Sequence, residues 1–276
     1  MPEMPEVATV VNKLRPYIQG SSIIDVEIYK EKLIQNASAS EFKKAIINKT
    51  INNIFNLGKH IIIELSDEIF ILNHLRMTGK YAFYDKYHQP TIHDHVVFRL
   101  NNGVLYFNDA RAFATFHLKT KSELYTTQPL KDLGKVPLET NIDELYSKIR
   151  KRTQAIKNIL LDQKLILGIG NIYANEALWL SKINPSTPAN KLSKQDLADL
   201  VTNAGQIMHT ATLMGGSSIQ SYSSLNGEKG KYQNELKVHG RDRKHCYRCQ
   251  SIIKKYWIGG RGTYYCANCQ GEVENV

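Results

Sequence analysis

The stretch that decides the fold of the C-terminal part spans residues 246–269 and reads CYRCQSIIKKYWIGGRGTYYCANC. It holds all four cysteines of the chain, in two Cys-x2-Cys pairs that are sixteen residues apart. This spacing is typical of a four-thiolate zinc site, and four sulfur ligands leave no open coordination position. We therefore predict one structural Zn²⁺ that holds residues 254–265 as a rigid basic finger. Its predicted ligands are Cys246, Cys249, Cys266 and Cys269.

A pair of disulfides is the alternative use of these cysteines. The chain opens with Met1-Pro2-Glu3 rather than with a basic segment followed by an apolar one, which argues against a secretory signal. No run approaches the roughly 18 apolar residues that would suggest a membrane span. We therefore expect a cytoplasmic protein that needs no membrane, and a reducing location favours zinc over disulfides.

The charge of the chain points to a polyanionic partner. The 276 residues carry a formal net charge of +10, and the sequence pI is about 9.3. From Lys229 to Arg261 there are ten basic and two acidic residues, a net +8. A second basic cluster, residues 148–152, is predicted at the start of a helix. Charge concentrated in this way suits a phosphate backbone better than general solubility does.

Upstream of the cysteines, the pattern predicts an α+β multidomain fold. Between about residues 22 and 119, short β-branched runs alternate with turn signals, which is typical of an antiparallel β-sandwich. The predicted strands are 23–28, 51–57, 61–65, 69–73, 96–100 and 104–107. Two flanking helices are predicted, one from Pro5 to about Leu14 and one after the capping box Ser38-x-x-Glu41.

The second half of the chain is predicted to be helical. The capping signal Asn141-x-x-Glu144 begins a helical pattern, and further helices are predicted from about Asn171 and over about 193–214. The Gly/Ser-rich stretch 215–231 is predicted to be a mobile loop. We predict a β-sandwich domain over 1–130, a hinge over 131–140, a helical domain over 141–237 and a zinc finger over 238–276.

Six motifs in order, together with the cysteine spacing, resemble the formamidopyrimidine-DNA glycosylase family of bacterial repair enzymes along the whole chain. They are Met1-Pro-Glu-Met-Pro-Glu-Val7, His74-Leu-Arg-Met77, His93-Asp-His95, Asp109-x-Arg111-x-Phe113, Gly168-Ile-Gly-Asn-Ile-Tyr-Ala-Asn-Glu176 and Gly259-Gly-Arg-Gly-Thr-Tyr-Tyr-Cys266. The resemblance implies a helix–two-turn–helix element in the helical domain. It also implies a monomer that binds double-stranded DNA containing an oxidised base. The implied activity is that of a bifunctional glycosylase and abasic-site lyase, which excises 8-oxoguanine and formamidopyrimidines in base excision repair.

The resemblance assigns catalysis to Pro2, Glu3, Lys59 and Arg261. Once Met1 is removed, the Pro2 amine would attack the sugar of the damaged nucleotide. An α-amine with a pKa of about 8 is partly unprotonated at neutral pH, and a secondary amine forms an iminium that accepts electrons during β,δ-elimination. Glu3 would be the acid/base partner, and Lys59 would contact the phosphate that flanks the lesion. Arg261 would clamp the lesion phosphates through its guanidinium.

The same resemblance implies seven further DNA contacts. They are Met77, His93, Arg111, Phe113, Arg152, Lys157 and Asn171. His93 and Arg152 would contact the DNA backbone, Asn171 would begin a phosphate-binding helix, and Lys157 would lie near the lesion pocket. The other three would fill the gap left by the extruded base, with Arg111 facing the orphaned cytosine.

Four positions depart from the family pattern. Ala8 replaces a usual glutamate, Ala110 and Ala112 replace a proline and a second arginine, and Gln220 stands where arginine is common. Two other functions stay open at this point. One is an endonuclease VIII-like glycosylase for oxidised pyrimidines, against which the opening motif and the intact Asp-x-Arg-x-Phe loop argue. The other is a non-catalytic lesion-binding zinc-finger protein, which retention of Met1 would favour.

Overall fold

The computed structural model describes residues 1–219 and 223–272 of the chain. They form two compact units, each built from two stretches of sequence. The first unit comprises Met1–Lys131 and Met214–Gln233, and the second comprises Asp132–Leu213 and Asn234–Val276. In the described residues no helix is both long enough and apolar enough to cross a membrane.

The first unit contains two four-stranded sheets in which every neighbouring pair is antiparallel. Its strands are β1 (Ile23–Ile28), β2 (Ile51–Leu57), β3 (His60–Leu65), β4 (Ile69–His74), β5 (Lys80–Tyr84), β6 (Asp94–Leu100), β7 (Gly103–Asn108) and β8 (Thr115–Thr120). The orders are β1-β6-β7-β5 and β2-β3-β4-β8. The apolar side chains of both sheets join one core with the first helix. The predicted β-sandwich is therefore confirmed.

The helices of this unit are α1 (Met4–Ile18), α2 (Ala39–Ile46) and the short α3 (Lys121–Leu124). α2 begins where the capping box predicted, since the Ser38 hydroxyl accepts the Glu41 N–H at 3.2 Å. Single 3₁₀ turns cover Glu31–Leu33, Ser66–Glu68 and Leu225–Gly227. β5 and β8 are not among the predicted strands, because their sequences KYAFY and TFHLKT lack a run of β-branched residues.

Residues 214–233 group with the first unit, although the sequence analysis placed them in the helical domain. Hydrogen bonds to α1 and to β5 hold them there. The Ser217 N–H donates to Glu6 Oε1 at 2.7 Å, and the Asn226 side chain accepts the Phe83 N–H at 2.8 Å. Gln220, one of the departures from the family pattern, lies outside the described residues. The predicted division into four parts stays a prediction.

The second unit is helical and ends in a β-hairpin. Its elements are α4 (Ile142–Ile149), α5 (Ile156–Leu161), α6 (Asn171–Leu180), α7 (Lys194–Leu213), β9 (Ile253–Ile258), β10 (Arg261–Cys266) and α8 (Ala267–Gln270). Short 3₁₀ turns cover Pro137–Glu139 and Ala189–Lys191. The Asn141 side chain caps α4 as predicted, by accepting the Glu144 N–H at 3.2 Å.

One prediction about this unit is wrong. The basic residues 148–152 lie at the end of α4 and in the loop after it, not at the start of a helix. Long-range backbone pairing interrupts the helical pattern here. The Asn190 N–H donates to the Arg152 carbonyl at 2.9 Å, and the Ile156 N–H donates to the Thr187 carbonyl at 2.8 Å. Extended backbone held in this way cannot continue the i to i−4 ladder of a helix.

Candidate functional site

The N-terminus of the first unit lies among charged groups. Pro2 and Glu3 are buried immediately before α1. The Met1 amine lies close enough to four charged side chains to feel their fields, namely Glu3, Glu6, Lys59 and Arg111. Burial is the largest influence and lowers the pKa of this amine, while the two carboxylates oppose that shift and the two cations add to it.

Glu6 ties this N-terminus to another part of the same unit. Its Oε2 accepts the Glu3 N–H at 2.8 Å, while its Oε1 accepts the Ser217 N–H at 2.7 Å. Gly216 is needed beside it, because a Cβ at that position would lie 2.8 Å from Glu6 Oε1. One buried carboxylate therefore sets both the start of α1 and the path of residues 216–217.

Lys59 occupies the two-residue turn between β2 and β3, where Gly58 takes a positive φ of 56°. A lysine in such a turn is normally exposed, yet Lys59 is only 7% exposed. The buried turn places its cation within electrostatic reach of the N-terminal amine. The sequence identified this lysine only through the family resemblance, because nothing local distinguishes it from a surface residue.

Histidines on neighbouring strands stand beside this turn, and the sequence analysis gave them no role. His60 and His74 face each other across β3 and β4, with ring centroids 4.8 Å apart. Burial lowers the pKa of His60 to about 4 and that of His74 to about 2, with Arg76 nearby adding to both shifts. The Arg76 N–H donates to His74 Nδ1 at 3.0 Å, so the neutral ring carries its proton on Nε2.

Two loops of the first unit carry three of the predicted DNA contacts, Met77, Arg111 and Phe113. Hydrogen bonds to one residue, Asp109, link the two loops. Met77 is half-buried in the turn after β4, and Arg111 and Phe113 are exposed between β7 and β8. The Arg111 guanidinium lies over the Phe113 ring at 4.6 Å from its centroid. The Asp109 carboxylate accepts hydrogen bonds from both loops. His93, the fourth predicted contact, is exposed in the turn before β6.

In the second unit, two predicted DNA contacts converge on the hairpin. Lys157 Nζ and Asn171 Nδ2 both donate to the Gly262 carbonyl, at 3.2 and 3.0 Å. Lys157 is fully buried and also donates to Thr263 Oγ1 at 2.7 Å. These contacts give Lys157 a place under the hairpin, and its predicted position near a lesion pocket stays a prediction.

Arg261 begins β10 directly after the turn Gly259-Gly260, in which φ is 54° and 71°. Such left-handed conformations suit glycine and allow a two-residue hairpin turn. The Arg261 side chain is exposed at this tip. Arg152 is partly exposed, and its guanidinium lies 3.8 Å from the Asp162 carboxylate.

The four cysteines lie together in the second unit as free thiols, with all four sulfurs within 4.8 Å of one another. Cys246 Sγ is 3.9 Å from Cys269 Sγ, and Cys249 Sγ is 3.4 Å from Cys266 Sγ. Disulfide bonds of about 2.05 Å do not fit these separations. A tetrahedral ion with bonds of about 2.3 Å to sulfur sets its ligands about 3.8 Å apart, which does fit.

Two residues that the sequence analysis gave no role attach this cluster to α6. The buried Glu176 carboxylate accepts the N–H groups of residues 237, 238 and 239 at 2.8, 3.0 and 2.8 Å. Arg248, between the first two cysteines, donates to the Trp179 carbonyl at 3.0 Å and lies over the Trp179 ring. The only signal for either in the sequence is its position inside a motif.

Two family models of formamidopyrimidine-DNA glycosylase and several curated glycosylases of this name match the chain. Residues 1–116 match the family model described as the formamidopyrimidine-DNA glycosylase N-terminal domain, and residues 133–223 match its H2TH domain. A formamidopyrimidine-DNA glycosylase of Mycoplasma mobile is 43% identical over 98% of the chain and 99% of its own length. One of Mycoplasmopsis pulmonis is 42% identical over the full length of both proteins.

Solved structures of the Lactococcus lactis Fpg in complex with DNA have the same fold. A mutant bound to DNA containing Fapy-dG superposes with a TM-score of 0.93 at 36% identity. A complex with DNA containing an abasic site also gives 0.93 at 36% identity. The wild-type protein with DNA containing an oxidised pyrimidine gives 0.91 at 35% identity. Each comparison covers 98% of the chain and 100% of the solved one.

Proposed function

The chain belongs to the formamidopyrimidine-DNA glycosylase family, and on this basis we propose that it excises oxidised purines from double-stranded DNA and then cleaves the strand as an abasic-site lyase. As a member of this family, the chain is a DNA repair glycosylase, an enzyme that removes a base from DNA. The observation that carries the finer proposal is the position of the Met1 amine, which is partly buried within electrostatic reach of Glu3, Glu6, Lys59 and Arg111. We further propose that it acts as a monomer in the cytoplasm.

The nucleophile in this proposal is the amine of Pro2 after removal of Met1. Burial lowers the pKa of the Met1 amine, and Pro2 beside it is buried as well. The same burial would leave a larger share of the Pro2 amine unprotonated at neutral pH. The nitrogen lone pair forms a bond to the anomeric carbon of the sugar while the bond from that carbon to the base breaks. The departing base takes up a proton.

We assign the acid of the next step to Glu3. It is buried next to Pro2 in the chain and within electrostatic reach of the Met1 amine. In this role it donates a proton to the sugar ring oxygen as the ring opens. Ring opening leaves an iminium between Pro2 and the sugar. Loss of a proton from the adjacent sugar carbon then expels the 3′ phosphate, and a second elimination expels the 5′ phosphate. Lys59 supplies a buried positive charge for a phosphate next to the lesion.

The second unit supplies the proposed backbone contacts. Asn171 begins α6, where free N–H groups and the helix dipole favour a phosphate. Arg261 is exposed at the hairpin tip and is able to make a bidentate contact with phosphate oxygens. Arg152 and the exposed His93 of the first unit complete the set of predicted backbone contacts. The net +8 between residues 229 and 261 supports this assignment.

We propose zinc as the metal of the four-cysteine cluster. The sulfur separations fit its tetrahedral radius, and four thiolates favour it over harder cations. When bound, zinc provides a structural cross-link and no reactive position. The Cys249→Ser variant should lose the metal and bind DNA much more weakly. Elemental analysis checks the metal, and DNA binding by metal-free protein at full strength would contradict a structural role.

Borohydride trapping tests the proposed chemistry. Wild-type protein, incubated with a duplex that carries one 8-oxoguanine opposite cytosine, should be captured as a covalent adduct at Pro2. Pro2→Gly should weaken or abolish the adduct, whereas Pro90→Gly, a change in a loop of the same unit, should not. Mapping of the adduct to a lysine peptide, or a mature N-terminus at Met1, would contradict the proposal.

The substrate class needs its own comparison, because one solved relative is bound to an oxidised pyrimidine. Single-turnover excision should be faster for 8-oxoguanine and formamidopyrimidine than for an oxidised pyrimidine in the same duplex. The opposite ranking would favour the endonuclease VIII-like alternative. Binding to lesion DNA with no excision of any base would favour a non-catalytic lesion-binding protein.

A further inference from the structure

Asp109 is a fully buried carboxylate that the proposed chemistry does not use. It ends the strand pair β6–β7 at the point where the chain enters the exposed loop containing Arg111 and Phe113. It touches two separate loops of the first unit as well as the backbone near His93. A carboxylate buried at this position needs hydrogen-bond donors to offset its loss of water.

The carboxylate binds four donors from the two loops. Oδ1 accepts the Thr78 hydroxyl and, at 3.2 Å, the Arg111 N–H. Oδ2 accepts the N–H groups of Phe113 and Ala114, both at 2.8 Å. Thr78 follows Met77 in the chain, so one side chain links the Met77 turn to the loop of residues 110–114.

The backbone of Asp109 is held as firmly as its side chain. Its N–H donates to the His93 carbonyl at 2.9 Å, and its carbonyl lies 2.8 Å from His95 Nε2. The buried His95 therefore fixes the point from which the loop departs. Three segments of the first unit meet at this one residue.

The loop adopts a conformation that needs such support. Ala112 has a φ of 50°, in the left-handed region that residues with a Cβ rarely occupy. The N–H groups on either side of it, at Arg111 and Phe113, are the ones that the carboxylate accepts. Two oxygens with several lone pairs are required, since an amide offers only one acceptor atom. Burial raises the pKa of Asp109, but the Thr78 hydroxyl and the backbone N–H groups outweigh it, and the net pKa is below the ordinary value.

We propose that Asp109 is a positioning residue for base extrusion, which holds Met77, Arg111 and Phe113 in the single arrangement that fills the gap in the duplex. This inference rests on the proposed function. It assigns Asp109 no contact with DNA. Its loss should therefore slow the steps that need a filled gap and spare the chemistry at the N-terminal amine.

Variants at Asp109 and Thr78 separate these steps. Asp109→Ala should slow single-turnover excision of 8-oxoguanine from a duplex by about ten- to a hundredfold, as expected when a buried hydrogen-bonded network is broken. Asp109→Asn, which keeps one acceptor oxygen, should lose less. Thr78→Val removes only the hydroxyl that donates to Asp109, and it should slow excision as well. Thr78→Ser keeps a hydroxyl at this position and should excise at close to the wild-type rate. Asp85→Asn, a change at an exposed carboxylate of the same unit, is the matched control.

Two further readouts distinguish positioning from general damage. Strand cleavage of a single-stranded oligonucleotide with a preformed abasic site needs no gap to be filled, so it should stay within about twofold of wild type. A 2-aminopurine next to an abasic analogue in a duplex should brighten on binding wild-type protein, and less on binding Asp109→Ala or Thr78→Val. Melting temperatures show whether each variant is folded, and Thr78→Val decides the matter if Asp109→Ala does not fold.

The outcomes are distinct. Two outcomes in folded Asp109 and Thr78 variants would show that Asp109 does not position these loops. In one, the rates of duplex excision and of single-stranded cleavage fall equally. In the other, neither rate falls. An unchanged 2-aminopurine signal in the variants would contradict the inference as well. If wild-type protein excises no 8-oxoguanine, it is the proposed function that fails, and the 2-aminopurine signal then tests the positioning role alone.

Discussion

Replacing Glu176 by leucine removes the acceptor of three backbone N–H groups that attach residues 237–239 to α6. The carboxylate is 2% exposed, so water does not readily take its place. A buried N–H left without a partner costs about 1–3 kcal/mol, which for three groups gives about 3–9 kcal/mol. The sum lies towards the lower end of this range, because Lys237 and His239 are only partly buried. Burial raises the pKa of Glu176 despite these hydrogen bonds, so its ionised form is costly to bury and leucine relieves that cost.

The two effects have opposite signs, and we therefore expect a net loss near the lower bound, about 3 kcal/mol of unfolding free energy. Whole domains are stable by only about 5–15 kcal/mol, so this loss is large. Glu176→Gln keeps one oxygen, and Oε1 alone accepts two of the three N–H groups. It should lose about 1–2 kcal/mol, because one N–H then faces the amide nitrogen.

Urea unfolding followed by tryptophan fluorescence measures this loss in the right part of the molecule. The chain has two tryptophans, Trp179 and Trp257, and both lie in the second unit. With a slope of about 2 kcal/mol per molar urea, Glu176→Leu should lower the midpoint by about 1.5 M at equal metal content. Glu144→Gln, on an exposed position of α4, should change stability by less than about 0.5 kcal/mol. An unchanged midpoint for Glu176→Leu, or a greater loss for Glu176→Gln, would refute the reasoning.

Three further predictions follow from the two units. Arg261→Ala should flatten the slope of log DNA affinity against log salt by about one unit, and an unchanged slope would mean that this guanidinium neutralises no phosphate. Arg111→Ala should reduce the ratio of the single-turnover rate of 8-oxoguanine excision opposite cytosine to the rate opposite adenine. Adenine would leave one N–H donor of Arg111 unmatched, at a cost of about 1–3 kcal/mol. If the variant keeps the full preference for cytosine, another residue provides this selectivity. Burial holds the pKa of His60, His74 and His117 below the unfolded value of about 6.5, so the unfolded chain binds more protons there. The contribution of these neutral histidines to the free energy of unfolding is therefore complete above about pH 6.5 and is lost as the pH falls towards about 4. Each histidine accounts for a loss of up to about 1.4 kcal/mol per pH unit. Circular dichroism of urea unfolding at pH 7 and pH 5 checks this, and His60→Gln should reduce the difference.

Local patterns alone determined much of this protein. Short β-branched runs between turn signals predicted six strands within one or two residues of their ends, because each such run must bury one face or both. Ser38 and Asn141 marked two helix starts, since a capping side chain binds N–H groups only three residues away. The cysteine spacing predicted the four-sulfur cluster, because each pair presents both thiolates from one tight turn.

Tertiary structure decided the features whose partners lie far along the chain. The strands β5 and β8 exist because β7 and β4 offer them free edges, and α4 ends where residues 185–190 pair with the following backbone. The sequence cannot show that Lys59 and Lys157 are buried, because burial depends on what packs over a side chain.

The same reason applies to Asp109 and Glu176, which the sequence presents as ordinary acidic residues inside motifs. Each becomes an anchor only because folding surrounds it with N–H groups from other segments and removes the water that would compete for them.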